Sequence, residues 1–343
     1  MAGVHLTRRL VLTASAVLLS ATLAACGGAA APTPGATPDP ASSATPAASA
    51  TPEATPTPSR EAVPVSNSID GITVAGEYGS VPEVTVPSPF AIDETRSKTL
   101  VEGTAGAPVA AEDSTVEVHY VGINGRTGEK FDSSWDRGAP TPFPLNQVVP
   151  GFTKGLTGTK AGDRVLIAMP GTDGYDASGG NPPAIEVGDT LVFVVDVLAV
   201  SVNEPAGAAE TPELPVTLGD EGGKPTVTIP TGATPPAELV AAPVIRGVQP
   251  AVEAGDTVVV RYRAWSWKTG EVVEDKFDQP VQGNIDDTIE AWKQGLVGQP
   301  IGSRVVLVAP PALGYEKASQ NPPIEAGDTV VYVIDILFAS ATR

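Results

Sequence analysis

Beyond its first 25 residues the chain holds one histidine, His119, and one thiol, Cys26. That shortage decides much of the chemistry. A zinc site built on Cys and His cannot be assembled within one chain. A Ser-His-Asp or Cys-His nucleophile system would have to use His119. His119 lies in "VEVHY" (116–120), on the face opposite Val118 and Tyr120, and reads as a solvated strand histidine. No phosphate loop and no dinucleotide fingerprint is present. Carboxylates are plentiful, but no pair stands out as a glycosidase would require. What remains is an oily set with one acid. "KFDSSWDRG" (130–138) crowds Phe131, Asp132, Trp135 and Arg137 into nine residues. Phe131, Phe143, Phe152 and Phe193 are four of the chain's seven Phe. They fall on separate elements, as they would in lining one pocket or filling one core, and the residues alone leave both readings open.

The elements that position them are short. "TVEVHYVGI" (115–123), "RVLIAMP" (164–170) and "TLVFVVDVLAV" (190–200) alternate or run apolar between Gly, Pro and Asp, which predicts β-strands. "VVPGFTKGL" (148–156) predicts a short helix with Pro150 near its start. The chain then repeats itself: "FTKGLTGTKAGDRVLIAMPGTDGYDASGGNPPAIEVGDTLVFVVDVL" (152–198) matches "WKQGLVGQPIGSRVVLVAPPALGYEKASQNPPIEAGDTVVYVIDIL" (292–337), and "VPEVTVP" (81–87) matches "KPTVTIP" (224–230). Two copies of this length are a tandem pair. The boundaries read as 65–202 for the first domain, 203–211 for a linker and 212–343 for the second domain. Neither domain contains a cysteine, so no disulfide braces them and packed cores alone must do so.

Taken in order, "VHYVG", "GRTGEKFDSSWDRG", "PFPL", "VVPGFTKGL", "AGDRVLIAMP", "GY" and "NPPAIEVGDTLVFVVDVL" resemble an FKBP-type peptidyl-prolyl cis-trans isomerase. The resemblance covers about 115–200, and more weakly 257–340. It implies an α+β fold in each domain, a curved antiparallel β-sheet wrapped around a short helix with a pocket between them. Carried over by position, the catalytic pocket would hold Tyr120, Phe131, Asp132, Val148, Val149, Phe152, Tyr175, Ile185 and Phe193. Phe152 stands where the family usually has Trp as the floor. Phe143 falls near a wall residue, with the alignment slipping there by a residue or two. Arg137 falls where the family has an Arg that pairs with the Asp of the box. The implied activity is isomerisation of X-Pro bonds, with no cofactor and no metal, and tacrolimus-like macrolides are implied ligands. The alternative is a non-catalytic chaperone or ligand-binding module that holds proline-containing chains.

The second copy is spoiled in one corner. At a constant offset, Val273 replaces Phe131, Glu274 replaces Asp132, Phe277 replaces Trp135 and Gln279 replaces Arg137. Trp292, Tyr315, Ile324 and Tyr332 keep their places, so the same fold with weaker activity is expected there. The Tyr332 hydroxyl, absent from Phe193, must find a partner.

The N-terminus and the charge set the context. Arg8 and Arg9 precede an apolar run, Leu10 to Leu23, that ends in "LAAC". The run is short for a membrane span. "LAAC" resembles the lipobox of bacterial lipoproteins, which implies a signal peptide at 1–25 and a lipid on Cys26. An ordinary signal peptide is the alternative, and "TRRLVL" weakly resembles a twin-arginine signal. Residues 26–64 then form a disordered Pro/Thr/Ala-rich stalk, since nothing in "AAAPTPGATPDPASSATPAASATPEATPTPS" can build a core. Its ~30 residues could span ~90 Å as polyproline. The expected place is extracytoplasmic and lipid-anchored to the cell membrane, and the expected partners are proline-containing exported polypeptides. A net charge of −19 repels phosphate backbones and sets nucleic acid aside.

Overall fold

The computed structural model describes residues 62–342. The signal peptide expected at 1–25, Cys26 and all but residues 62–64 of the expected stalk lie outside the described residues. The first domain runs β1 (Arg96–Val101), β2 (Thr115–Asn124), β3 (Lys130–Ser133), β4 (Thr141–Pro144), α1 (Pro150–Leu156), β5 (Arg164–Met169) and β6 (Leu191–Val200). These strands form one antiparallel sheet in the order β1-β5-β6-β2-β3. β4 pairs with the first half of β2, and β3 with the second half. The second domain runs β7 (Gly207–Ala209), β8 (Val240–Gly247), β9 (Thr257–Ser266), β10 (Val272–Asp275), β11 (Val281–Asn284), α2 (Glu290–Leu296), β12 (Arg304–Ala309) and β13 (Val330–Ser340). Its order is β7-β8-β12-β13-β9-β10, with β11 on β9.

β7 lies inside the stretch 203–211 that reads as a linker. It pairs with β8, Gly207 opposite Gly247. The approach is so close that a Cβ on Gly207 would stand 1.8 Å from the Arg246 carbonyl oxygen. The connection is therefore a strand of the second sheet, and only its composition hid that.

Strand alternation explains the layers. Val116, Val118 and Tyr120 on β2, Val165 and Ile167 on β5, and Leu191, Phe193 and Val195 on β6 face α1 and form one core. Their neighbours Val121, Ile123, Leu166 and Val192 face the other way into a second core. The helix starts with Pro150 in its first turn. It lies so close on β5 that a Cβ on Gly151 would meet the Met169 Sδ at 2.4 Å, and one on Gly155 the Ile167 Cδ1 at 2.7 Å. The second domain solves the same contact differently: alanines, Ala291 and Ala309, stand at the Gly151 and Met169 places and share one core.

The second core is filled by the segment before each domain's main strands. In the first domain Ile72, Val86, Phe90 and Ile92 cover the sheet face away from the helix. In the second, Val216 with Leu214, Val227 and Ile229 does the same over Trp265 and Trp267. "VPEVTVP" and "KPTVTIP" belong to these covers, each in a small hairpin. The first cover is pinned by a buried ion pair. Arg164 meets both oxygens of Asp196 at 2.5 and 2.7 Å and donates to the carbonyls of Gly76 and Ser80. Breaking such a pair strands an uncompensated charge, which costs several kcal/mol, on the order of 3–5.

The two domains belong to one compact unit. The Gln249 side chain accepts from the Val200 N–H and donates to the Val200 carbonyl, both at 2.8 Å. The Val202 N–H reaches the Leu337 carbonyl at 2.9 Å.

Candidate active site

Five rings meet between α1 and the sheet of the first domain. Phe152 and Phe193 sit edge to face with centroids 4.6 Å apart, Phe131 stands 5.4 Å from Phe193, and Phe143 lies 5.6 Å from both Phe152 and Tyr120. Each comes from a different element, because each element packs the same core with its inward face. Phe152 is carried by the helix, Phe193 by β6, Tyr120 by β2, Phe131 by β3 and Phe143 by β4. Val148 and Val149, just before the helix, and Tyr175, in the loop after β5, pack at the rim, while Ile185 is buried beside them. All nine positions read from the sequence are thus brought together. Phe143 joins them, held on β4 opposite Val116.

Asp132 is the polar corner. Its carboxylate accepts from the Tyr120 hydroxyl at 2.5 Å, from the Ser133 N–H at 2.7 Å and from Arg137 Nη1. Arg137 Nη2 also donates to the Tyr120 hydroxyl at 2.8 Å. Asp132 and Arg137 are 40% and 45% exposed, so the pair adds little stability and serves mainly to aim the carboxylate. Burial first, and then the bond to Asp132, push the Tyr120 hydroxyl up to about 12, so it stays a donor at any physiological pH. The Tyr175 hydroxyl makes no side-chain hydrogen bond among the described residues.

A β-bulge sets this corner. Gly122 pairs with Asp132 and Ile123 with Lys130, so Phe131 is the extra residue. The bulge turns its ring back over β2. A Cβ on Gly122 would stand 2.7 Å from Phe131 Cζ and 2.9 Å from Phe193 Cε1, so the two rings require glycine there. Gly122 escaped the sequence reading, although "VHYVG" contains it.

The rest of "KFDSSWDRG" faces elsewhere. Trp135 stacks on His119, centroids 3.8 Å apart at 13°, on the sheet face away from the pocket. Ser134 Oγ accepts from the Tyr120 N–H at 2.8 Å and lies 3.0 Å from His119 Nδ1. His119 is therefore not a solvated strand histidine. Trp135 covers it, and burial lowers its pKa.

The second site follows the same plan with other residues. β9 and β10 pair Ala264 with Glu274 and Trp265 with Val272, so Val273 is the bulged residue there. Glu274 thus stands at Asp132's place, and Ala264 at Gly122's. A smaller bulged side chain leaves room for the alanine. β11 pairs Gly283 with Val258, as β4 pairs Phe143 with Val116, so the second site has no ring at that wall. The Tyr332 hydroxyl, whose partner the sequence left open, meets the Tyr315 hydroxyl. On the outer face Phe277 replaces Trp135 and lies 4.3 Å beneath the Arg261 guanidinium.

The site thus combines apolar walls, one aimed carboxylate and hydroxyl groups. The sequence model described as FKBP-type peptidyl-prolyl cis-trans isomerase matches residues 106–198 and 249–337. The probable FK506-binding protein of Corynebacterium glutamicum is 45% identical over 84 residues, 24% of this chain and 70% of that protein. The FK506-binding protein of Streptomyces anulatus is 40% identical over 121 residues, 35% of this chain and 96% of its own length. The isomerase FkpA of Escherichia coli is 38% identical over 122 residues, 35% of this chain and 43% of FkpA. The chain belongs to the FKBP-type peptidyl-prolyl cis-trans isomerase family, in tandem form. Its reaction is the cis–trans interconversion of X-Pro bonds. The covering segments before 106 and before 249 lie outside the matched regions.

Proposed function

We propose that the first domain carries most of the isomerase activity, with Tyr120, Phe131, Asp132, Val148, Val149, Phe152, Tyr175, Ile185 and Phe193 as its site, and that the clients are exported polypeptides. The observation that carries this is the Asp132–Tyr120–Arg137 corner at the edge of the five-ring pocket. A planar prolyl amide is held by resonance against a barrier of ~18–20 kcal/mol. Halfway round it has lost that resonance and much of its dipole. An apolar pocket that excludes water favours the twisted state over the planar one. The Tyr175 hydroxyl, without a hydrogen-bond partner among the described residues, is placed to hold a substrate carbonyl, and Asp132 acts on the twisted amide through its charge. No proton need move.

The test is protease-free turnover of a short X-Pro peptide by the whole chain. Asp132→Leu and Tyr175→Ala should each lower kcat/KM by about tenfold, ~1.4 kcal/mol of transition-state stabilisation. Phe152 is a poorer probe, since truncating a buried Phe costs ~3–5 kcal/mol of stability. Unchanged turnover in both variants sinks the assignment. The second domain, without the guanidinium and two of the rings, should be slower by at least about tenfold, ~1.4 kcal/mol. Its altered pocket favours a second reading for that domain, as a holder of clients. Tacrolimus-like macrolides should compete at the first pocket.

The place of action rests on "LAAC", whose cysteine is the chain's only one. In this reading Cys26 carries the lipid and the stalk lifts the domains off an extracytoplasmic membrane face. Cys26→Ala should release the protein from the membrane fraction. An unmodified Cys26 found there by mass spectrometry defeats the proposal.

A further inference from the structure

The second domain's pocket lacks two of the rings that line the first site. It holds an open cavity of about 240 Å³ between α2 and the sheet. Gly283 stands at the Phe143 position, and a Cβ built on it meets nothing within 4 Å. Val273 removes a second ring. Val260, Ile289 and Trp292 keep the floor and one wall apolar.

Two polar side chains line the pocket, Glu274 at Asp132's place and Tyr332 at Phe193's. Glu274 lines the cavity beside the Tyr262 hydroxyl. No cation pairs with it among the described residues, and Gln279 occupies the position of Arg137. Tyr332 brings its hydroxyl where Phe193 has none. Trp292 is 8% exposed, and its indole N–H is buried with no hydrogen-bond partner. The carboxylate is felt across the pocket: burial first, and then Glu274 among other neighbours, raise the pKa values of Tyr262, Tyr315 and Tyr332.

A carboxylate at the wall of an apolar cavity is costly to cover with a neutral ligand, because desolvation is not repaid. In the first domain Arg137 repays it from within the chain. In the second the cation must come with the ligand. We propose that the second pocket is a binding site for proline-containing segments with Lys or Arg next to the proline, the cation resting on Glu274. This rests on the reading that both pockets take prolyl segments. The two domains then sort clients by charge, the first receiving neutral or acidic prolyl segments and the second basic ones.

The experiment uses the whole chain and acetylated peptides with Lys, Ala or Glu before proline. The Trp292 indole N–H resonance, assigned by its loss in Trp292→Phe, reports the second pocket alone. The Lys-Pro peptide should bind about tenfold more tightly than the Glu-Pro peptide, the size of one charge-assisted contact of ~1.4 kcal/mol. The gap should shrink in about 1 M salt, where screening acts within ~3 Å. Glu274→Gln should erase it. Gln279→Arg, which supplies the cation from within, should erase it too, so a poorly folded Glu274 variant does not protect the idea. Equal affinities for the three peptides, no binding at the Trp292 resonance, or a gap that survives both variants overturns the proposal. Turnover of the Ala-Pro peptide is followed in the same samples. Its absence would sink the isomerase assignment of the first domain without touching the Trp292 result.

Discussion

Gly122 is where one missing methyl shapes the pocket. The Phe131 and Phe193 rings occupy the space its Cβ would need, at 2.7 and 2.9 Å. The other copy shows the compensation, Ala264 with Val273. Gly122→Ala should therefore overpack the site, at a cost of about 1–3 kcal/mol, and push Phe131 off the pocket wall. Adding Phe131→Val should recover most of the stability but not the turnover. A double-mutant cycle by chemical denaturation measures the coupling, expected at about 0.5–3 kcal/mol. Additive effects would mean that the two side chains do not compete for the same space.

At the level of elements, the bulge and the helix contact are the devices that differ between the copies. Rebuilding the second site with Val273→Phe, Glu274→Asp and Gln279→Arg places a ring over Ala264, which the first domain never does. That triple variant should stay weak and lose stability. With Ala264→Gly added, its turnover should rise by about tenfold, ~1.4 kcal/mol, measured with the first site silenced by Asp132→Leu. If the fourth substitution changes nothing, the lost corner is not what slows the second domain. Of the elements themselves, the alternation in "TVEVHYVGI" and Pro150 in "VVPGFTKGL" foretold β2 and α1 to within two residues. β7 was not foretold, because "GAA" carries no strand signal and forms a strand only where β8 offers an edge.

In the whole molecule the tandem copies belong to one compact unit. Gln249 is 5% exposed and is bonded twice to Val200 of the other domain. Removing its side chain leaves a buried N–H unpaired, at about 1–3 kcal/mol. Gln249→Ala should lower the unfolding temperature and separate the two domains' transitions in calorimetry. An unchanged thermogram would show that the contact does not couple them. The covering segments 69–92 and 214–233 act at this scale too, since without them the second face of each sheet would stand open to water.

The sequence by itself determined the main strands, the helix and the duplication, while the fold class and the pocket's cast came through the family resemblance of its Phe-Asp box. Strand and helix periods are local, and the Phe-Asp box keeps its order along the chain. It also foretold the spoiled corner at Val273, Glu274 and Gln279, because a constant offset is visible in the letters. Only the tertiary structure decided which way each side chain turns and what it meets. Trp135 and Phe131 lie four residues apart, yet one stacks on His119 behind the sheet and the other walls the pocket in front. Gly122 became legible only when two rings from distant strands converged on it, and only the structure shows that no cation among the described residues pairs with Glu274. Contacts between residues far apart in sequence, set by register and bulge, carry that information.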